Sequence, residues 1–546
     1  MRKGIIAIAI TSTLMACSQN SSVDETANSD SASQSKAKVS AELYLMHEEA
    51  IQAQRFTAKR QRAQMIPAHV EEMSENYAEY PANPVQLTID NPVSTFSIDV
   101  DTSSYSNVRR MLNQGVMPPA KAVRTEELVN YFNYDYPAPD QADQPFNVST
   151  ELSVAPWNKD RHLLRIGLKG LDMDDATTLP PANLVFLVDV SGSMHSPNKL
   201  PLVKRSLRML ASQMRAQDTI ALVVYAGAAG TVLEPTSGKE KHTIYQAIDS
   251  LEAGGSTNGE AGIKLAYQLA EQSRQPKGIN RIILCSDGDL NVGTSNVSDL
   301  KELVERKRKS GTQLTTLSFG TGNYNDELME QIADAGNGQA AYIDTLMEAK
   351  KVLVDELGGT LHTIAKDVKI QVEFNPATVK EYRLIGYENR ILAREDFNND
   401  KVDAGEIGAG HTVTALYELT LVGAENPSVD PLRYGNDTEN PGSKSNELSF
   451  IKLRYKLPDE ETSRLLTFPV NKSQFVALDK TSDDFKHAAA VASFAEVLKG
   501  GTHLRSFGYD EIISLAKSSK AATGRPLRSQ FIELVELAKL TAASGA

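Results

Sequence analysis

The chain has 546 residues, with 57 Lys and Arg against 70 Asp and Glu, for a formal net charge of −13. So acidic a chain is a poor nucleic-acid binder, because neutralising phosphates takes clustered Lys and Arg. It also offers no polybasic patch to a membrane surface, and beyond the first residues no run is apolar and long enough to span a bilayer as a helix.

The N-terminus reads as a secretory signal. Arg2 and Lys3 precede an apolar run at 5–10, and Leu14-Met15-Ala16-Cys17 follows a small polar stretch. The apolar run is too short for a membrane span. The Leu-x-Ala-Cys ending resembles the lipobox of bacterial lipoproteins. That resemblance implies removal of residues 1–16 and a lipid on the Cys17 sulfur, so that membrane attachment rests on the lipid alone. The mature chain would then keep one thiol, Cys285, and could form no internal disulfide. Cys285 follows Ile282-Ile283-Leu284 and reads as a small buried hydrophobe. Ser18, not Asp, follows the cysteine. By analogy with lipoprotein sorting, this points to a periplasm-facing position on the outer membrane.

Residues 17–40 are rich in Ser, Ala, Asn, Asp and Gln and read as a flexible tether. Residues 41–90 are charged and are expected to be helical or disordered, with a break at Pro67. An accessory region follows at 91–145. It has a strand at 95–100 and helices at 105–112 and 126–132. Strands at 146–154 and 162–168 belong to a segment expected to span 146–180.

The next block, 181–364, alternates strands and helices. Strands are expected at 184–190, 220–225, 281–286, 314–319 and 340–343, with a short antiparallel edge strand near 231–233. Helices are expected at 200–216, 243–251, 259–272, 297–310, 326–335 and 347–364. Such alternation predicts a doubly wound, mostly parallel α/β sheet covered on both faces. From 365 to 480 the pattern becomes strand-like, at 368–374, 412–421 and 448–455, as in a β-sandwich. Strands lie on both sides of the α/β block, so the α/β domain is expected to be inserted in the sandwich. Residues 481–546 read as helices at 485–498, 509–516 and 527–540 that close one layer.

Three clusters sit at element ends of the α/β block: Asp189-Val190-Ser191-Gly192-Ser193, Gly254-Gly255-Ser256-Thr257-Asn258, and Asp287-Gly288-Asp289. Loops at the carboxyl ends of parallel strands converge on one sheet edge. Carboxylates and hydroxyls are hard oxygen donors that suit Mg²⁺, Mn²⁺ or Ca²⁺. Two acids do not saturate such an ion, so hydroxyls and waters must complete the shell.

Asp-x-Ser-x-Ser after a strand, a distant Thr and a later Asp-Gly together resemble the metal-ion-dependent adhesion site of von Willebrand factor type A (VWA) domains. The likeness extends over roughly 184–361. It implies that Ser191 and Ser193 bind the metal directly, that Asp189 and Asp287 hold it directly or through water, and that Thr257 binds in either way. One position would stay open for a partner carboxylate. The flanking segments look like those of a bacterial VWA lipoprotein family with accessory regions before and after the A domain.

Other signals are weaker. Asp99-Val100-Asp101-Thr102-Ser103-Ser104 echoes the first cluster and reads as a second cation loop or, more simply, as a helix cap through Thr102 or Ser103. Asp396-Phe397-Asn398-Asn399-Asp400 opens like a calcium loop, but Lys401 and Ile407 stand where Gly and Glu belong, so it reads as an acidic turn. His195 reads as an exposed loop residue. No phosphate loop or nucleophile elbow is present in the sequence.

The function these readings support is an envelope lipoprotein that binds a protein presenting an Asp or Glu through a divalent cation. The alternatives are an assembly scaffold with a stabilising metal and a metal-assisted hydrolase. The sequence nominates no base for the latter. The attachment reading predicts that Cys17→Ser moves the protein from the membrane pellet to the soluble fraction after a high-salt wash. Retention in the pellet would refute it.

Overall fold

The computed structural model describes residues 75–544, apart from 141–143, 173–179, 257–258, 291–296, 357–358, 360–361, 425–427, 430–445 and 520–525. The signal, Cys17, the tether and the expected helices at 41–74 lie outside the described residues. Within 41–90, the described part is not helical. It carries an isolated bridge at Asn76 and the short strand β1 (Gln86–Leu87).

The chain then forms β2 (Val93–Ser97), α1 (Ser103–Asn113), α2 (Thr125–Asn130), β3 (Phe146–Ala155) and β4 (Asn158–Gly170). The α/β domain opens with β5 (Ala182–Asp189) and α3 (Leu200–Gln213), followed by the hairpin β6 (Thr219–Tyr225) and β7 (Ala229–Ser237). It continues through α4 (Lys241–Asp249), α5 (Gly259–Gln272), β8 (Ile279–Ser286), α6 (Val297–Lys309) and β9 (Gln313–Phe319). It ends with α7 (Asp326–Ala335), β10 (Ala340–Ile343) and α8 (Leu346–Lys350).

These strands form one six-stranded sheet in the order β10-β9-β8-β5-β6-β7. All neighbours are parallel except the β6–β7 pair. The fold is therefore a doubly wound α/β sheet with one antiparallel edge strand. That edge is longer than the sequence suggested, since β7 runs through Pro235. Proline is tolerated at a sheet edge because its missing N–H faces no partner strand.

Why β5 is apolar without interruption from Leu184 to Val188 follows from its surroundings. Side chains alternate across a strand. Leu184, Phe186 and Val188 face one core with Val203, Leu207 and Leu210 of α3. Val185 and Leu187 face the opposite core with Ile263, Ala266 and Ala270 of α5. Each such side chain contributes about 1.5–3 kcal/mol by leaving water, so a polar residue is costly on either face. Cys285 of β8 belongs to the first core, and burial pushes its thiol above the ordinary range. It is an inert hydrophobe there.

The helix expected over 347–364 is not a single helix. After α8 the chain makes a π-helical turn at Lys351–Asp355, and by Thr363 it is already in β11 (Thr363–Phe374). The 3.6-residue pattern ran on into a strand because β11 starts with apolar residues that face the sandwich core.

The sandwich also contains β12 (Val379–Ile385), β13 (Gly405–Gly408), β14 (Thr412–Leu421), β15 (Glu447–Lys456) and β16 (Arg464–Asn471). One sheet runs β1-β12-β14-β4-β3. The other runs β13-β11-β15-β16, with β2 on β11. Ile166 and Val413 of the first sheet meet Ile370 and Ile451 of the second in one core. β4 pairs antiparallel with β14 across the whole inserted domain. Both ends of the insert hang on one turn: Gly170 N–H donates to His411 O at 2.8 Å, and Ala409 N–H donates to His362 O at 3.0 Å.

The helices α9 (Asp483–Leu498), α10 (Tyr509–Ser518) and α11 (Pro526–Ser544) cover the outer face of the first sheet. They do so together with α1 and α2, in a core that includes Tyr105, Phe132, Leu416, Phe494 and Phe531. The two ends of the chain, read separately from the sequence, thus make one helical layer.

Buried charge stitches this layer and the sandwich to the α/β domain. Arg390 pairs with Asp99 at 3.3 Å, Asp101 at 3.2 Å, Glu330 at 3.1 Å and Asp334 at 2.8 Å. Arg124 pairs with Glu127, Asp326 and Glu330. Acids outnumber guanidiniums here, and burial holds the carboxyls of Asp101, Glu127 and Glu330 above their ordinary range. Removing one partner from such a site leaves the others buried and uncompensated. Arg390→Met is expected to lower the unfolding free energy by about 3–5 kcal/mol. Chemical denaturation would measure it, and a change below about 1 kcal/mol would show that the pairs are dispensable.

Candidate metal centre

The chain runs from β5 to β6 and β7 on one side of the sheet, then crosses to β8, β9 and β10 on the other. The strand order therefore reverses between β5 and β8. In open α/β sheets the crevice beyond the carboxyl ends at such a point receives ligands. β5 ends at Asp189 and β8 at Ser286, so the first and third sequence clusters meet there.

Asp189 is fully buried. Its Oδ1 accepts the Ser191 N–H at 2.8 Å, a short turn that swings Ser191 back over the strand end. The chain then makes a 3₁₀ turn at Gly192–His195. The Ser191 and Ser193 hydroxyl oxygens stand 3.0 Å apart. Ser191 is buried, Ser193 half-buried and His195 exposed.

The second cluster is clamped to the first through the backbone. Gly192 N–H donates to Gly255 O at 3.0 Å, and Gly254 N–H donates to Val190 O at 2.7 Å. Gly254, Gly255 and Ser256 are exposed. Thr257 lies outside the described residues, between Ser256 and the start of α5 at Gly259.

In the third cluster, Asp287 is fully buried and its Oδ1 accepts the Asp289 N–H at 3.2 Å. The Ser286 hydroxyl accepts the Gly288 N–H at 3.1 Å and reaches toward Asp189 Oδ2 at 3.5 Å. Asp289 itself is exposed.

One participant was not legible in the sequence. Lys199, the residue before α3, donates from Nζ to Asp287 Oδ2 at 2.8 Å. Nothing in the Ser196-Pro197-Asn198-Lys199 stretch marks it as a site residue. It reaches Asp287 because the first helix begins beside the end of β8.

The donor chemistry fits a hard divalent cation. Burial, helped by the nearby Asp287 charge and opposed by the Ser191 N–H, pushes the Asp189 carboxyl up to about 6. Among the described residues no ammonium or guanidinium pairs with this carboxylate; it takes neutral hydrogen bonds from Ser191 and Tyr225 and a long contact from the Ser286 hydroxyl at 3.5 Å. Asp189, Ser191, Ser193 and Asp287 would hold such an ion, with waters completing the shell.

The other sequence signals resolve differently. Asp99 Oδ1 accepts the Asp101 N–H at 3.0 Å, and Asp101 Oδ1 accepts the Ala340 N–H of β10 at 2.8 Å. Thr102 makes no side-chain cap on α1. Instead Glu127 Oε2 accepts the Ser104 N–H at 2.8 Å. A sequence motif cannot show this, because the capping group comes from the next helix. Asp99, Glu127 and Glu330 bring carboxylate oxygens within 4.8 Å of one another, but Arg124 and Arg390 stand among them. In the turn at 396–400, the carbonyls of Asp396 and Asn399 accept from Lys369 and the Asp400 carboxylate accepts from Ser463. It is a structural acidic turn.

Three family models match the chain. The "von Willebrand factor type A domain" model covers residues 183–356, a "von Willebrand factor" model covers 71–165, and "Uncharacterized protein YfbK, C-terminal" covers 359–540. YfbK of Escherichia coli K12 is 47% identical over 469 residues, spanning 85% of this chain and 80% of that one. The chain belongs to the YfbK family of bacterial VWA proteins. In that family the VWA domain is flanked by N-terminal and C-terminal regions, as the sandwich and helical layer flank it here. Human inter-alpha-trypsin inhibitor heavy chain H3 is 23% identical over 350 residues, covering 56% of this chain and 38% of its own length. A von Willebrand factor type A structure from Catenulispora acidiphila aligns with a TM-score of 0.40 at 14% identity, covering 70% of this chain and 89% of that one.

Gly288 tests how tightly the site is built. Its φ is +93°, and a Cβ there would fall 2.5 Å from Asn325 N. Gly288→Ala combines left-handed strain with a backbone clash. A loss of about 2–4 kcal/mol in thermal or denaturant unfolding is expected. Unchanged stability would mean that the 287–289 turn is not held in this form.

Proposed function

We propose that this YfbK-family protein is a cation-dependent binding module of the cell envelope. In this reading Asp189, Ser191, Ser193, Asp287 and Thr257 hold Mg²⁺, or Mn²⁺ or Ca²⁺ in its place, and a partner protein presents an Asp or Glu. The ion supplies a Lewis-acidic coordination position for that carboxylate. A lipid on Cys17 anchors the protein, facing the periplasm.

The observation that carries the reading is the convergence of acids and hydroxyls on an open sheet edge. Asp189 and Asp287 are buried at its floor, while Ser193, residues 254–256 and Asp289 form a half-buried to exposed rim. A macromolecular carboxylate can reach such a rim without entering a deep pocket. The role we assign is coordination and not catalysis, since metal ligation accounts for Ser191 and Ser193 without a general base. The scaffold and hydrolase alternatives gain no specific observation from this geometry.

Two carboxylates give the site little charge, so the metal is expected to bind weakly until a third carboxylate arrives. Affinities for metal and partner should then rise together, because coupling between sites is reciprocal. Affinity capture from envelope extracts is expected to enrich a partner with Mg²⁺ and to lose it with chelator. Asp189→Ala or Ser193→Ala is expected to abolish capture while shifting Tm little. Calorimetry on Asp189→Ala should show no Mg²⁺ binding. Unchanged Mg²⁺ binding would place the metal elsewhere, and capture that survives chelator would place recognition on another surface.

A further inference from the structure

The metal centre has a resident cation of its own. The Lys199 ammonium meets Asp287 Oδ2 at 2.8 Å, with the lysine side chain 8% exposed and the aspartate fully buried. The other Asp287 oxygen accepts the Asp289 N–H. Asp287 thus has both oxygens engaged, one of them by a cation, whereas among the described residues Asp189 takes only neutral hydrogen bonds, from Ser191, Tyr225 and, at 3.5 Å, Ser286. The two acids of the centre are unequal: one is matched by a fixed positive charge and the other is not.

Lys199 is held in place by two separate features. Its carbonyl accepts the Leu202 and Val203 N–H groups, each at 2.9 Å, and so starts α3. Its alkyl stem passes over Gly320, where a Cβ would come within 2.2 Å of Lys199 Cγ. Gly320 also has φ +79°. The backbone thus leaves a channel that a lysine stem fills, and that channel ends at Asp287.

We infer that Lys199 is an internal counter-ion of the metal centre: it neutralises Asp287 in the metal-free protein and competes with a divalent cation for that carboxylate. The inference rests on the metal-site reading above. With Lys199 charged, Asp189 and Asp287 together present one net negative charge to an incoming ion. Without it they present two. An ammonium beside a divalent ion is also directly repulsive, and the effect is strong where water is excluded. Lys199 therefore sets metal affinity low and makes occupancy depend on a further carboxylate from the partner. The same lysine keeps the metal-free fold stable, because a buried carboxylate without a partner is costly.

This assignment separates two quantities that a purely structural lysine would move together. Lys199→Met keeps the stem over Gly320 and removes the charge. It is expected to lower Tm in chelator and to bind Mg²⁺ at least tenfold more tightly by calorimetry. The rise in Tm on adding Mg²⁺ should exceed that of the wild type. Lys199→Gln, which can still donate a hydrogen bond to Asp287, serves as the second variant and is read in place of Lys199→Met if the latter does not fold. It should also bind Mg²⁺ more tightly. Mg²⁺ affinity that is unchanged or weaker in a folded Lys199 variant overturns the inference. Asp189→Ala run alongside keeps the two readings apart. If it binds Mg²⁺ like the wild type, the metal-site reading has failed. If it loses Mg²⁺ while the Lys199 variants gain nothing, only the counter-ion role has failed.

Discussion

The structure depends most on the burial of β5. This strand is flanked by β6 and β8 along its edges and by α3 and α5 on its faces. Every residue from Ala182 to Asp189 is buried. Six of them can be satisfied by packing and by ladder hydrogen bonds, and a seventh, Asn183, by the bonds its amide donates to Ala270 O and Asn280 Oδ1. The eighth is a carboxylate at the strand end, and its charge finds no matching cation within its own cluster. The apolar strand that secures the sheet therefore delivers an under-compensated acid to the switch point of the fold. The loops from Val190 to Ser193, Gly254 to Ser256 and Ser286 to Asp289 are arranged around that acid.

The handling of charge differs between this edge and the junction of the three regions. At the junction, Arg124 and Arg390 stand among several acids, and each guanidinium contacts more than one carboxylate. Planar guanidinium donors suit such shared contacts, and the result is a fixed joint. At the sheet edge the only cation that the described residues bring to the carboxylates is an ammonium on a flexible stem, and it meets one acid of the two. That arrangement leaves room for exchange. One set of buried acids holds domains together, while the other is the set we propose as a metal site.

The insertion supports this division. The α/β domain leaves and rejoins the sandwich at one turn near Gly408–His411, and β4 pairs with β14 across the gap. Its attachments, including the Asp101 contact to β10 and the Arg390 pairs to α7, fall on the β10 half of the domain. The rim formed by Ser193, Ser256 and Asp289 carries none of these attachments. The rim and the joint are thus separate surfaces of the α/β domain.

The sequence by itself determined the local pieces: the apolar strands ending in acid, the order of the three clusters, and the change from α/β to β patterning near residue 365. These depend on periodicity and on turn chemistry, which neighbours in the chain carry. It could not fix where the helix after β10 stops, because apolar residues of β11 extend the helical pattern until the sandwich core claims them. Nor could it show that α1 and α2 share a core with α9 to α11, that Glu127 caps α1, or that Arg390 binds acids from two distant segments. Each of those pairings joins residues far apart in the chain and leaves no spacing to read. The same holds for Lys199. Its partner Asp287 is 88 positions away, and only the packing of α3 beside the end of β8 places the ammonium on that carboxylate. The donor types of the site were written locally, but their charge balance was decided by tertiary contact, because electrostatic compensation follows distance in space and not in sequence.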